Sequence, residues 1–137
     1  MPDMNDFNAT VIAEFRANAG VVGGSFEGTP IVLLTTTGAK SGLARTNPLV
    51  YRKVGEKLYV FASKAGAPSD PDWYRNLLAN PAVHVELGTE SFDATATTVD
   101  RATRDEVYAA QAADFDNFRQ YEELTDRVIP VVELSRS

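Results

Sequence analysis

Three short stretches of this 137-residue chain hold the residues best suited to chemistry. Residues 35–48 read TTTGAKSGLARTNP. Lys40 and Arg45 can pair with phosphate or carboxylate, Arg45 in a bidentate way. Ser41 and the backbone N–H groups of the nearby glycines can add neutral donors. Downstream, Ala62-Ser63-Lys64 closes an apolar run with two small residues and a further cation. Small residues would let a flat ring lie against the backbone. Trp73 and Tyr74 could border that ring, or they could pack a helix onto the body of the protein. A flat cofactor with an anionic tail suits this set better than a catalytic triad does.

Other chemistries close quickly. The chain has no cysteine, which removes disulfides, thiolate nucleophiles, iron–sulfur clusters and cysteine zinc sites. His84 is the only histidine, so multi-histidine metal sites and Ser-His-Asp triads lack a strong candidate, and no metal is expected. In the run Val83-His84-Val85-Glu86-Leu87, the apolar residues share one strand face and His84 shares the other with Glu86, which reads as a partly exposed strand histidine. Gly38-Ala39-Lys40-Ser41 has the form of the end of a phosphate-binding P-loop. Position 34 is Leu34 rather than glycine, however, and a strand pattern follows where a helix is required.

Charge points the same way. The net charge is −6 and the isoelectric point is about 4.7, which argues against general nucleic-acid binding and docking on anionic membranes. Yet six of the thirteen basic residues (Lys40, Arg45, Arg52, Lys53, Lys57 and Lys64) fall within residues 40–64, against the single acid Glu56. A local positive field on an acidic protein fits a specific anionic ligand. Arg52, Lys53 and Lys57 flank a hairpin turn and read as solvated strand ends, unlike Lys40 and Lys64. No apolar run is long enough to span a bilayer, and the N-terminus MPDMNDFNAT has acids where a signal peptide needs positive charge. A cytoplasmic protein without stable membrane insertion is expected, and the sequon at Asn8 is set aside.

The elements that must position these residues can be traced along one domain, residues 1–137. Phe7, Val11, Ile12 and Phe15 predict an amphipathic helix over about residues 3–18. IVLLTTT reads as a buried strand, and residues 38–42 as a loop. TNPLVYRK and KLYVFASK form an antiparallel hairpin about a Val-Gly-Glu turn. Ser69-Asp70-Pro71 predicts a side-chain-capped start for the helix DWYRNLLAN, which Asn80-Pro81 stops. AVHVELG and SFDATATTVD are paired strands. Thr103 to Glu106 predicts a capping box for a helix through Ala113, followed by a helix over about 117–128 and a last strand, IPVVELS. About six short, mostly hairpin-connected strands with inserted helices predict a mainly β fold, a small antiparallel barrel with peripheral helices.

The stretch LLTTTGAKSGLARTNPLVY, followed by VFASKAGAPSDPDWYRNLLANP, resembles the deazaflavin-dependent nitroreductase family, reductases that use coenzyme F420. The likeness spans roughly residues 30–135, and the order G-x-K-S-G, N-P, A-S-K is its specific part. It implies an antiparallel split β-barrel of the FMN-binding split-barrel type. It implies that Lys40, Ser41, Arg45 and Lys64 contact the phosphate and oligoglutamate tail of the coenzyme or the polar edge of its ring. Thr46, Asn47 and Pro48 would line the coenzyme, with Ala62, Ser63 and Lys64 beside it and Trp73 and Tyr74 closing the far side. The implied reaction is hydride transfer from the reduced deazaflavin to a quinone, enone or nitroaromatic. Ser63 would hydrogen-bond the acceptor oxygen, and Tyr121 or water would supply a proton.

Family nitroreductases build the acceptor pocket with tyrosines from the C-terminal helical region. Here DFDNFRQYEEL offers Phe115, Phe118 and Tyr121, a greasier set that favours a quinone or fused-ring enone, or else plain helix core for the two phenylalanines. Two rival readings stay open: an FMN-dependent barrel of the pyridoxamine-phosphate oxidase kind, and a non-catalytic deazaflavin carrier. A monomer or a homodimer fits either.

Overall fold

The computed structural model describes residues 4–18, 30–66 and 69–136. Six antiparallel strands close a barrel in the order β1-β2-β3-β6-β5-β4. They are β1 (Ile31–Thr37), β2 (Ala44–Val54), β3 (Lys57–Phe61), β4 (Ala82–Leu87), β5 (Glu90–Thr98) and β6 (Val131–Arg136). Four helices join them: α1 (Met4–Ala17), α2 (Asp72–Ala79), α3 (Arg101–Asp114) and α4 (Asp116–Leu124), with a 3-10 turn at Lys64–Gly66. The barrel agrees with the mainly β, split-barrel expectation.

The apolar run of β1 is continuous because both of its faces are covered. Val32 and Leu34 point into the barrel, with Leu58 and Val60 of β3, Val83 and Val85 of β4, and Val132 and Leu134 of β6. Ile31 and Leu33 point outward and meet Val11 and Phe15 of α1. Likewise Tyr59 and Phe61 of β3 face outward into a second cluster with Val107 and Tyr108 of α3 and Phe118 of α4. Helix α2 contributes Trp73, Tyr74 and Leu77 to the barrel interior. Phe15 and Val11 are buried, each worth about 1.5–3 kcal/mol relative to exposure. Arg16 fixes the same helix to β4 through two bonds to the Glu86 carboxylate, 3.0 and 2.8 Å long. The Phe7 side chain lies outside the described residues.

Three helix ends depart from expectation. Pro71 occupies the N-cap of α2 and no side chain caps that helix, because the expected acceptor, Asp70, instead receives Arg127 Nη1 at 2.9 Å. In α3 the cap is Asp100, whose Oδ1 accepts from the Thr103 backbone N–H at 2.8 Å. The helix therefore starts before the expected Thr103 box, at Arg101. Helix α4 ends at Leu124, four residues short of the expected limit at 128, since Thr125 adopts extended backbone.

Candidate functional site

The pairing of β2 is unequal along its two edges. Its pairing with β1 runs from Ala44 to Val50, whereas pairing with β3 starts only at Tyr51↔Val60 and ends at Val54↔Lys57. Among the described residues, 44–50 thus pair with β1 alone. Every one of these seven residues lines a cleft of about 1450 Å³. At a strand rise of about 3.3 Å per residue, the stretch from Arg45 to Val50 spans roughly 16 Å. That length suits an extended ligand, and the unpaired backbone can hydrogen-bond its edge.

At one end stands the basic loop between β1 and β2. The Gly38 N–H donates to the Leu43 carbonyl at 2.8 Å, and the Gly42 N–H donates to the Gly38 carbonyl at 3.0 Å. Ser41 Oγ accepts from the Leu43 N–H at 3.2 Å. Gly38 lets Ser41 take this position: a Cβ there would lie 2.4 Å from Ser41 Oγ, which would have to shift. Lys40, Ser41 and Arg45 are all exposed and line the cleft. Among the described residues, neither Lys40 nor Arg45 forms an ion pair.

Asn76 latches this loop from α2. Its Oδ1 accepts from the Ala39 N–H at 3.0 Å, and its Nδ2 donates to Thr36 Oγ1 at 3.2 Å. Asn76 is buried with Trp73, Tyr74 and Leu77. Its signal in the sequence is a polar residue on the apolar face of a helix. Arg75 also lines the cleft, paired with Asp72 at 3.2 Å.

The opposite wall carries Ser63 and Lys64. Lys64 takes a positive φ of 46°, a conformation that costs about 1–3 kcal/mol outside glycine and clusters at functional sites. Arg127 holds the segment in place: Nη2 donates to the Ser63 carbonyl at 2.8 Å while Nη1 grips Asp70. Gly66, at φ 80°, lets this turn approach α4 closely, since a Cβ there would lie 2.9 Å from Leu124 Cβ.

At the far end the cleft becomes apolar, with Ile12, Val50, Phe61 and Phe118 in its lining. Phe118 is buried and packs edge-on against Phe61, at 5.2 Å between ring centroids. Tyr108 fixes α4 by donating from its hydroxyl to the Phe118 carbonyl at 2.6 Å. Burial, then the charge of Glu122, pushes the Tyr108 hydroxyl above the ordinary tyrosine range, so it stays a donor. Tyr121 lines the cleft half-buried, its ring 5.3 Å from that of Phe118.

Most of the residues singled out from sequence meet in this cleft: Lys40, Ser41, Arg45, Thr46, Asn47, Pro48, Ser63, Lys64, Trp73, Phe118 and Tyr121. Three sit elsewhere. Tyr74 is buried in the barrel interior, its hydroxyl 3.0 Å from Thr98 Oγ1. Ala62 is fully buried in the same cluster, continuing the inward alternation of Leu58 and Val60. Phe115 packs against the outer cluster. His84 stands away from the cleft, half-exposed, with Nδ1 2.9 Å from Asp93 Oδ1.

A barrel with an open strand edge, cations at one end of a long cleft and aromatic rings at the other defines a class of protein suited to a flat ligand with an anionic tail. Comparison with known proteins narrows the class. The profile described as F420H(2)-dependent quinone reductase matches residues 8–135. A Mycobacterium tuberculosis protein named F420H(2)-dependent quinone reductase is 38% identical over 128 residues, covering 90% of this chain and 86% of that one. A solved F420-H2 dependent reductase superposes with a TM-score of 0.70 at 39% identity, over 77% of this chain and 94% of the other. A second solved structure, described only as a domain-swapped dimer, gives 0.72 at 33% identity, over 97% of this chain and 100% of the other. The chain belongs to the F420H(2)-dependent quinone reductase family. It is an F420-dependent reductase, and reduced F420 is its hydride donor. The residues present fit that group: Lys40 and Arg45, without ion pairs among the described residues, and a glycine-closed loop for an anionic tail, and a backbone edge that no described strand covers for a flat ring.

Proposed function

We propose that this protein reduces a quinone at the apolar end of the cleft, with the coenzyme laid along the open edge of β2. The carrying observation is that residues 44–50 join a cationic loop to an aromatic pocket through one unpaired strand edge. Lys40, Ser41 and Arg45 hold the phosphate and glutamate tail, and Thr46, Asn47 and Pro48 line the body of the coenzyme. Trp73 borders it from α2, and Ser63 and Lys64 flank it from the opposite wall. When bound, reduced F420 supplies the hydride that, with one proton, converts a quinone to a hydroquinone. Phe61, Phe118 and Val50 exclude water and orient a flat acceptor by its faces. Tyr121 and Ser63 offer hydroxyls to its oxygens. These apolar walls favour quinones over more polar nitroaromatics.

Among the described residues, no helix is long and apolar enough to cross a membrane, and the acceptor is taken as a free or surface-delivered quinone. The test is a fluorescence titration with F420 and separately with FMN, followed by menadione added to reduced F420 and protein. F420 preference with menadione-dependent oxidation of the coenzyme is expected. Preference for FMN, or tight F420 binding without oxidation, would overturn the reading.

A further inference from the structure

Asn117 lies four residues before Tyr121, so the two share one face of α4. Both line the cleft, and Asn117 Nδ2 donates to the Tyr121 hydroxyl at 3.1 Å. From this geometry we infer that Asn117 is a positioning residue that keeps the Tyr121 hydroxyl a donor toward the acceptor oxygen. The inference rests on the quinone-reductase reading of the same cleft.

The argument is one of hydrogen-bond polarity. A phenol hydroxyl both donates and accepts, whereas an amide N–H only donates. The Tyr121 ring is held against Phe118, so the hydroxyl oxygen is fixed and only its proton can turn. With Asn117 on the accepting side, that proton points away from Asn117 and is free for an oxygen in the cleft. As the quinone gains a hydride, negative charge grows on its oxygens, and a donor aimed there strengthens in the transition state. An acceptor in place of Asn117 would instead capture the tyrosine proton.

The N117D substitution tests this because it keeps shape and reverses polarity. An acid at the second position of α4, which starts at Asp116, also suits the helix N-terminus, so folding is preserved. In N117D, kcat for menadione should fall about tenfold, the worth of one hydrogen bond, to the level of Y121F. F420 affinity should not change in either variant. The double variant N117D/Y121F should be no slower than Y121F alone. An N117D enzyme as fast as wild type would overturn the inference, since it would mean that the tyrosine already donates to Asn117. A double variant well below Y121F would also overturn it, because the new charge would then act directly on the acceptor. These results presuppose that wild type oxidises reduced F420 with menadione; absence of that activity would count against the functional reading instead.

Discussion

Replacing Gly38 by alanine should weaken F420 binding through the hydroxyl of Ser41. A Cβ at position 38 would meet Ser41 Oγ at 2.4 Å and the Leu43 carbonyl at 3.3 Å. The backbone cannot widen freely, because Gly38 is tied at its N–H and its carbonyl within the same loop, by bonds of 2.8 and 3.0 Å. Ser41 Oγ must therefore retreat by roughly 1 Å, to reach ordinary van der Waals contact. It gives up the Leu43 N–H and its place among the anion donors. A hydrogen bond to a charged group contributes about 1.5–3 kcal/mol, so F420 affinity should fall roughly 10- to 150-fold. S41A should lose as much without any clash, and G38A/S41A should be no weaker than S41A alone. The assay is deazaflavin fluorescence, titrated with F420 and with the chromophore lacking phosphate and tail. The truncated chromophore should bind wild type and G38A alike. An equal loss for both ligands, or no loss for F420, would refute the placement of the tail at this loop.

Arg127→Ala frees the Ser63 carbonyl and Asp70 together; it should cost roughly 1–3 kcal/mol in urea unfolding and weaken coenzyme binding. Wild-type F420 affinity should drop as salt rises, and K40A/R45A should show a flatter dependence, because exposed charges are screened over about 10 Å at 0.1 M; equal slopes would remove these cations from the tail site. The hydrogen bond from Arg16 holds the Glu86 carboxyl below the ordinary glutamate value of 4.5. Its contribution to stability is therefore present above that value and is lost as pH falls through the lowered one. The urea midpoint should decline across this window in wild type and decline less in E86Q, with equal slopes counting against the latch.

How far the sequence carried depended on whether a residue's partner was local. The run IVLLTTT, the loop glycines and the paired strand patterns act over a few positions, and they predicted the barrel and the cationic loop. Asp70 looked like a cap until Arg127, 57 positions away, claimed it. Asn76 shows in the sequence as a polar residue on an apolar helix face and Asn117 as a residue one turn before Tyr121, but the partners of Asn76, 37 and 40 positions away, and the orientation of the Tyr121 hydroxyl are not written in that spacing. Trp73 and Tyr74 are neighbours on a helix, about 100° apart around its axis; both are buried in the barrel cluster, and Trp73 alone of the two also lines the cleft. Ala62 was readable: the alternation of Leu58 and Val60 carries it inward.

The edge of β2 that no described strand covers beyond the end of β3 has a cost when the coenzyme is absent. Unpaired strand edges recruit other strands, and soluble proteins protect them with charge, proline or cover. Arg45 and Pro48 lie within this one, and a bound coenzyme would supply the cover. The apo protein should then be the aggregation-prone form, and its solubility in the cell would follow the supply of F420 as closely as its activity does.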